Sequence, residues 1–178
     1  DLYNYPSKRG PVNLVGQLLQ QEAIDALAFS AGPDRVRVVR KDGEVEIRRG
    51  RTDGQAYSYH LVRGDDPLGY ASEVPAEMLG GADYSSRAWL EATAGTEFPD
   101  LVPQILAYFD APRAADLVVF AAPGWDLGHQ WKAGHGGIRP GEMVFPLIMA
   151  GPGIPHGQLP TARAVDVLPT ILELLGQE

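Results

Sequence analysis

Cysteine is absent from this sequence of 178 residues. Disulfide frameworks, thiolate zinc sites, iron–sulfur clusters and cysteine nucleophiles are therefore excluded, and any metal must be bound by His, Asp or Glu. The lack of cysteine fits both reducing and oxidising compartments, and we favour the cytoplasm slightly. The sequence also lacks a run of about 18 apolar residues, so we expect no membrane span.

Positive charge is scarce, because 15 Lys and Arg residues face 23 Asp and Glu residues and give a net charge of -8. This balance repels phosphate backbones, and we expect no nucleic-acid polymer as a partner. The length predicts a single domain over residues 1–178. The 21 Gly and 15 Pro residues divide it into short elements typical of an α/β or α+β fold. Because the first residue is Asp1, we expect the domain to be part of a longer chain.

Alternating apolar and charged residues predict a β-hairpin over residues 35 to 49, with Asp42-Gly43 supplying the positive φ angles of its turn. Residues 56 to 62 are predicted to form a third strand of the same kind. Residues 34 to 51, which include the hairpin, are rich in arginine. This indicates either a basic patch or Arg–Glu pairs across neighbouring strands, and pairing is favoured.

Helices are predicted to begin at Pro11 and to cover residues 85 to 94 and 100 to 109, since each segment places its apolar residues on one face. We expect the last two to cover a sheet. A final helix over residues 164 to 175 is predicted to end at Gly176.

Apolar runs predict three buried strands. The first covers residues 24 to 29. The runs at residues 117 to 121 and 147 to 150 hardly alternate, which favours central strands in a parallel part of the sheet.

The segment with most chemical potential is residues 122 to 143, which contains His129 and His135 among glycines. Loops at strand ends hold ligands in α/β proteins. Trp125 and Trp131 flank His129 and either line a cleft or pack the loop onto the sheet. Elsewhere, Asp65-Asp66 is compatible with a divalent cation, but a turn in which these side chains cap backbone amides is favoured.

A longer motif run resembles the C-terminal part of alkaline phosphatase superfamily hydrolases, nearest to type I phosphodiesterases and nucleotide pyrophosphatases. It covers residues 133 to 154 and 162 to 176. The matching features are His135, Glu142, Pro146-Leu147-Ile148, Gly151-Pro152-Gly153, Asp166 and Pro169-Thr170. Residues 64 to 70 and 97 to 105 are similar to segments of bacterial members.

This resemblance implies an alkaline phosphatase-like three-layer α/β sandwich, of which the chain supplies the C-terminal part of a mixed sheet together with a small hairpin. It implies that His135 binds one of two zinc ions in the complete hydrolase, whose substrate is a small phosphate ester. The family's nucleophile and its other metal ligands have no counterpart here, and the sequence contains no Asp-His-Gly. We therefore expect this chain alone to be inactive, with a missing N-terminal half or a second chain as its partner.

Two alternatives remain open. The first alternative is a stand-alone, non-enzymatic domain that keeps the scaffold as a binding or assembly module. A third possibility is a site for one metal ion built by His135, His129 and Asp126, although a spacing of six residues between the two histidines does not match a helical metal pair.

Overall fold

The fold is given by a computed structural model, which describes residues 1–50, 55–128 and 136–177. Within these ranges the strands are β1 (Ile24–Gly32), β2 (Arg35–Val39), β3 (Gly43–Arg49), β4 (Ala56–Gly64), β5 (Tyr84–Ser85) and β6 (Leu117–Ala121). The α-helices are α1 (Leu14–Leu18), α2 (Ser86–Thr93), α3 (Leu101–Phe109), α4 (Pro140–Met143) and α5 (Val167–Leu174). The chain is therefore a mixed α/β protein, as predicted.

The six strands form one sheet in the order β5-β4-β3-β2-β1-β6, and each neighbouring pair is antiparallel. The sheet belongs to a compact unit that spans Asp1–Met143, and a second unit spans Val144–Glu178. The single domain over residues 1–178 stays a prediction.

The predicted hairpin is confirmed, since β2 and β3 pair with Arg37 opposite Glu46 and Val38 opposite Val45. Its turn depends on glycine for a different reason than the sequence suggested. Gly43 does not have a positive φ angle. Instead, a Cβ atom on Gly43 would lie 1.7 Å from the backbone oxygen of Asp65, because the amide of Asp65 donates to the carbonyl of Asp42 at 3.0 Å. The turn thus needs glycine for a close approach of two backbones.

One face of the sheet packs against α2 and α3, as predicted for these helices. Ser85 begins α2 by accepting a hydrogen bond from the amide of Ala88 at 3.1 Å. Trp89 of α2 is fully buried, and its indole nitrogen donates to the carbonyl of Tyr57 in β4 at 2.9 Å. The sheet contributes Val36, Val38, Val45 and Ile47 to the same core.

The opposite face of the sheet is divided between an apolar and a charged part. Near β1, the side chain of Val15 from α1 packs with Leu27, Phe29 and Val39. Helix α1 is shorter than predicted, since it begins after the cap Asn13 and not at Pro11.

Strand β6 confirms a prediction only in part. Its residues do form a strand, but it is an edge strand antiparallel to β1, so the predicted central parallel position is wrong. Its five apolar residues hardly alternate because each face meets a different apolar cluster: Val118 and Phe120 pack into the larger core, and Leu117 and Val119 into the smaller one.

The unit Val144–Glu178 consists mainly of irregular chain followed by helix α5. The helix ends as predicted at Gly176, whose φ is 66°; the amides of Gly176 and Gln177 donate to the carbonyls of Glu173 and Leu172. The predicted strand at residues 147 to 150 is wrong, because this segment has no strand pairing, and a short apolar run specifies a strand only where a neighbouring strand supplies its hydrogen bonds.

No helix among the described residues is both long and apolar enough to cross a membrane.

Candidate functional site

His135, the predicted zinc ligand, lies outside the described residues, as do His129 and Trp131. Trp125 and Asp126 are described: the Trp125 side chain is 53% exposed, and the Asp126 carboxylate accepts a hydrogen bond from the amide of Gly128 at 2.7 Å. In the described ranges, no group of three or more His, Asp or Glu side chains is arranged to hold a metal ion. The zinc site at His135 therefore stays a prediction.

The described residues on both sides of positions 129 to 135 are attached to the beginning of β1. On the upstream side, the amide of Ala122 donates to the carbonyl of Ala23 at 2.9 Å. On the downstream side, Nη2 of Arg139 lies 2.6 Å from Oδ2 of Asp25. Ile138 is also buried in the core, with 6% of its surface exposed. The chain therefore leaves and rejoins the sheet at the same place.

Asp25 is the centre of an ion-pair cluster. Its side chain is 9% exposed and also accepts from Arg40, with 2.7 Å from Nη2 to Oδ1. Arg40 in turn donates to the carbonyl of Pro67 at 3.0 Å. Arg139 pairs with Glu97 as well as with Asp25. One buried carboxylate thus connects the end of β2, the beginning of β1 and the chain that follows His135.

An aromatic ring supports the same cluster. The guanidinium carbons of Arg40 and Arg139 lie 5.2 and 5.1 Å from the centroid of the Phe98 ring, and Phe98 is fully buried. Burial alone lowers the pKa of Arg139, but its hydrogen bonds to Glu97 and Asp25 outweigh burial and raise this pKa above its ordinary value. Arg139 is therefore charged at every physiological pH, and both cations gain from the negative face of the ring.

Glu142, the acidic residue of the motif, lies against Gly137, the second of the two glycines that follow His135. A Cβ atom on Gly137 would lie 1.5 Å from Oε2 of Glu142. The Glu142 carboxylate therefore lies directly against the backbone of Gly137, and a larger residue at position 137 would require this side chain to move. Glu142 belongs to α4, whose first residue, Pro140, directly follows Arg139.

A second charged cluster covers the outer face of β2, β3 and β4. Glu44 is 2% exposed and accepts hydrogen bonds from Tyr3, Arg37 and Arg63 at 2.6, 2.6 and 2.9 Å. Glu46 is 3% exposed and accepts from Arg37 at 2.7 Å and from Arg48 at 2.6 Å. The predicted Arg–Glu pairing across strands is confirmed, and the carboxylates are far more buried than expected of a solvated face.

The pKa values of both carboxyl groups follow from these contacts. Burial alone raises the pKa of Glu44, but hydrogen bonds from Tyr3, Arg37 and Arg63 outweigh it, and the net pKa lies below the ordinary value. The pKa of Glu46 is lowered in the same way, with Arg37 and Arg48 overcoming the effect of burial. Burial and the hydrogen bond to Glu44 raise the pKa of Tyr3 to about 12. At neutral pH the cluster therefore contains two carboxylates, three guanidinium groups and a neutral phenol.

The turn at Asp65-Asp66 is structural, as favoured from sequence. The carboxylate of Asp66 accepts from the amides of Leu68 and Ala71 at 3.1 and 2.7 Å and from the hydroxyl of Tyr59. All of these contacts are donors to a single carboxylate, which is the pattern of a side chain that caps a turn.

The remaining motif residues lie in the unit Val144–Glu178. Pro146, Leu147 and Ile148 are exposed in irregular chain. The carboxylate of Asp166 accepts from the amide of Arg163 at 2.8 Å, and the hydroxyl of Thr170 donates to the carbonyl of Asp166 at 2.7 Å. Asp166 directly precedes α5, but its carboxylate closes the short 3-10 turn Ala164–Asp166 and does not cap the helix itself.

No protein-family model, no curated protein and no solved structure matches this chain. The class of this protein is therefore that of its fold, a mixed α/β protein with a six-stranded antiparallel sheet.

Proposed function

We propose that this chain is the C-terminal part of a two-metal phosphoester hydrolase of the phosphodiesterase or nucleotide pyrophosphatase type, with an alkaline phosphatase-like sandwich completed by residues outside it. His135 is its zinc ligand. The chain alone is inactive, because a catalytic zinc needs about three protein ligands and an open position. The substrate class is a small phosphate ester.

One observation supports this proposal beyond the motif run. The two described flanks of residues 129 to 135 are attached to the beginning of β1, through Ala122 and Arg139, and Ile138 adds an apolar anchor. A metal ligand has to be held within a fraction of an ångström by its supporting contacts. The burial of Ile138 and the ion pair between Arg139 and Asp25 are support of this kind, because these two residues lie three and four positions beyond His135.

Zinc content and phosphodiester hydrolysis, measured together, test the proposal. We expect the present chain to bind no stoichiometric zinc and to be inactive, and a longer chain that restores the residues encoded ahead of Asp1 to bind two zinc ions and hydrolyse a phosphodiester. In the longer chain, His135→Ala should remove one zinc ion and the activity. The matched control is His156→Ala, which alters an exposed histidine of the other unit and should change neither.

Two results would overturn the proposal. One is a gene that encodes only these residues, and the other is a longer chain in which His135→Ala retains both zinc ions. Stoichiometric zinc in the present chain, lost in both His129→Ala and His135→Ala, would instead identify the site for a single metal ion.

The alternative, a binding or assembly module, is favoured by the surface of the unit Val144–Glu178. None of its described residues is buried, and Ile148 and Leu159 are 89% and 73% exposed. Apolar surface of this kind marks an interaction site. Sedimentation equilibrium distinguishes the two functions: a zinc-free chain that self-associates through this unit, and loses the association in Ile148→Ser, supports the module.

A further inference from the structure

A pocket of about 430 Å³ opens on the charged face of the sheet, beside the Glu44 cluster. Its wall is formed by Tyr3, by residues 13 to 20 around α1, by the turn between β2 and β3, and by the end of β4. Its volume is within the range of small-molecule sites, which is about 300–1,000 Å³.

The charges that line the pocket have one sign. Lys41 and Arg63 both line it, and none of its described lining residues is acidic. The two cations are brought together by strand pairing, because Gly43, two residues after Lys41, pairs with Gly64, and Glu44 pairs with Arg63. This is a local excess of positive charge in a chain whose net charge is -8.

The two cations differ in how they are held. Nε of Arg63 donates to Glu44 at 2.9 Å, which fixes the direction of a guanidinium that remains 50% exposed. Lys41 takes part in no ion pair among the described residues and is exposed. The pocket therefore contains one oriented planar cation and one point charge without a partner, a combination that suits a carboxylate or phosphate group.

The remaining lining groups are neutral. Because the pKa of Tyr3 is raised to about 12, its hydroxyl adds no negative charge at neutral pH. Oδ1 of Asn13 accepts from the amide of Gly16 at 2.8 Å, which leaves the Nδ2 amide as a donor. Gln20 adds a second amide, and Leu19 supplies an apolar surface.

We propose that this pocket binds a small organic anion, with its carboxylate or phosphate group between Lys41 and Arg63 and its apolar body beside Leu19. This site is independent of the proposed zinc site: it involves neither His135 nor a metal, and its test uses neither zinc nor hydrolysis.

Binding to the full chain is measured by isothermal titration and by amide NMR shifts, with benzoate, neutral benzamide and inorganic phosphate as probes. We expect benzoate or phosphate to bind saturably and to shift the amides of Gly16 and Leu19, and benzamide not to bind. Comparison of benzoate with phosphate then shows which oxyanion the site prefers.

The decisive variant is Lys41→Gln, because the exposed Lys41 side chain makes no ion pair among the described residues and its replacement should leave the fold intact. It should weaken binding of the preferred anion by about tenfold, as expected for the loss of one charge-assisted hydrogen bond. Lys41→Arg should retain binding. The matched control is Arg87→Gln, which removes an exposed arginine of α2 outside the pocket and should leave the affinity unchanged.

Three results would overturn the proposal: no saturable binding of either anion, binding of benzamide as tight as that of the preferred anion, or an affinity that Lys41→Gln and Arg87→Gln lower equally. The last result would mean that the anions respond only to the overall charge of the chain.

Discussion

Arg139 and Asp25 are separated by 114 positions in the sequence, and their side chains meet with 2.6 Å between Nη2 and Oδ2. This ion pair attaches the chain that follows His135 to the first residues of β1. It is shielded from solvent, since the two side chains are 22% and 9% exposed. Removal of one partner from such a pair leaves the remaining charge buried and without compensation, which costs more than the loss of a surface pair.

Asp25→Asn should therefore destabilise the fold, because Arg40 and Arg139 would both lose the Asp25 carboxylate and Arg139 would be left with the more exposed Glu97. We expect the free energy of unfolding, measured by denaturant titration, to fall by about 3 kcal/mol. Hydrogen exchange should accelerate most in residues 136 to 143. Asp34→Asn is the control, since Asp34 pairs with Arg49 but is 63% exposed, and it should change stability by less than about 1 kcal/mol. An equal loss of unfolding free energy in both variants would show that the buried Asp25 pair stabilises the fold no more than an exposed pair.

Gly43→Ala should be destabilising because of contact rather than conformation. The added Cβ atom would lie 1.7 Å from the backbone oxygen of Asp65, and neither backbone can move without breaking the hydrogen bond between Asp65 and Asp42. We expect a loss of about 2–3 kcal/mol, as for overpacking, measured by thermal unfolding. Gly95→Ala, with no atom within 4 Å of the added Cβ atom, should be tolerated. A Gly43→Ala protein as stable as Gly95→Ala would contradict the close approach.

In the unit Asp1–Met143, the features that depend on neighbouring residues were predictable from sequence, and the contacts between residues far apart in the sequence were not. The alternation of β2 and β3 and the apolar spacing of α2 and α3 are properties of neighbouring residues, and these elements were found where predicted. The contact between Gly43 and Asp65 spans 22 positions, and nothing in the Asp-Gly pair itself distinguishes a close approach from a positive φ angle.

The candidate site shows the same division. His135 was indicated by its motif and lies outside the described residues, whereas Asp25 and Arg139 carried no signal at all. Asp and Arg are ordinary surface residues in a sequence, and only the fold brings these two together beside Phe98. The strand predicted at residues 147 to 150 was wrong for a related reason, since a strand requires a partner that the run itself does not specify.

Glu44 should make stability depend on pH in the acidic range. Its folded-state pKa lies below the ordinary value of 4.5, because hydrogen bonds from Tyr3, Arg37 and Arg63 outweigh burial. The unfolded chain thus binds a proton more readily, so the contribution is complete above about pH 4.5 and is lost as the pH falls through the folded-state value. The free energy of unfolding should decrease on acidification, and Glu44→Gln should flatten this dependence. Glu91→Gln, which alters an exposed pair on α2, should leave the slope as it is; a wild-type slope in Glu44→Gln would contradict the assignment.

Tyr59→Phe tests the capping of the turn at Asp66. Tyr59 is 1% exposed, and its hydroxyl donates to the carboxylate that also accepts from the amides of Leu68 and Ala71. Because the ring is retained, the substitution removes one donor and leaves the packing against Tyr70 and Trp89 in place. We expect the free energy of unfolding to fall by about 1–3 kcal/mol, the cost of a buried hydrogen bond to a charged group.

The matched control for that substitution is Tyr108→Phe, because Tyr108 is 44% exposed and its hydroxyl makes no hydrogen bond within the described part of the chain. It should change stability by less than about 0.5 kcal/mol. The double variant Tyr59→Phe with Asp66→Asn distinguishes capping from a general loss of polarity. If the hydroxyl acts through Asp66, the losses in the free energy of unfolding of the two single variants should sum to more than the loss in the double variant. Strictly additive losses would show that Tyr59 stabilises the core independently of the turn.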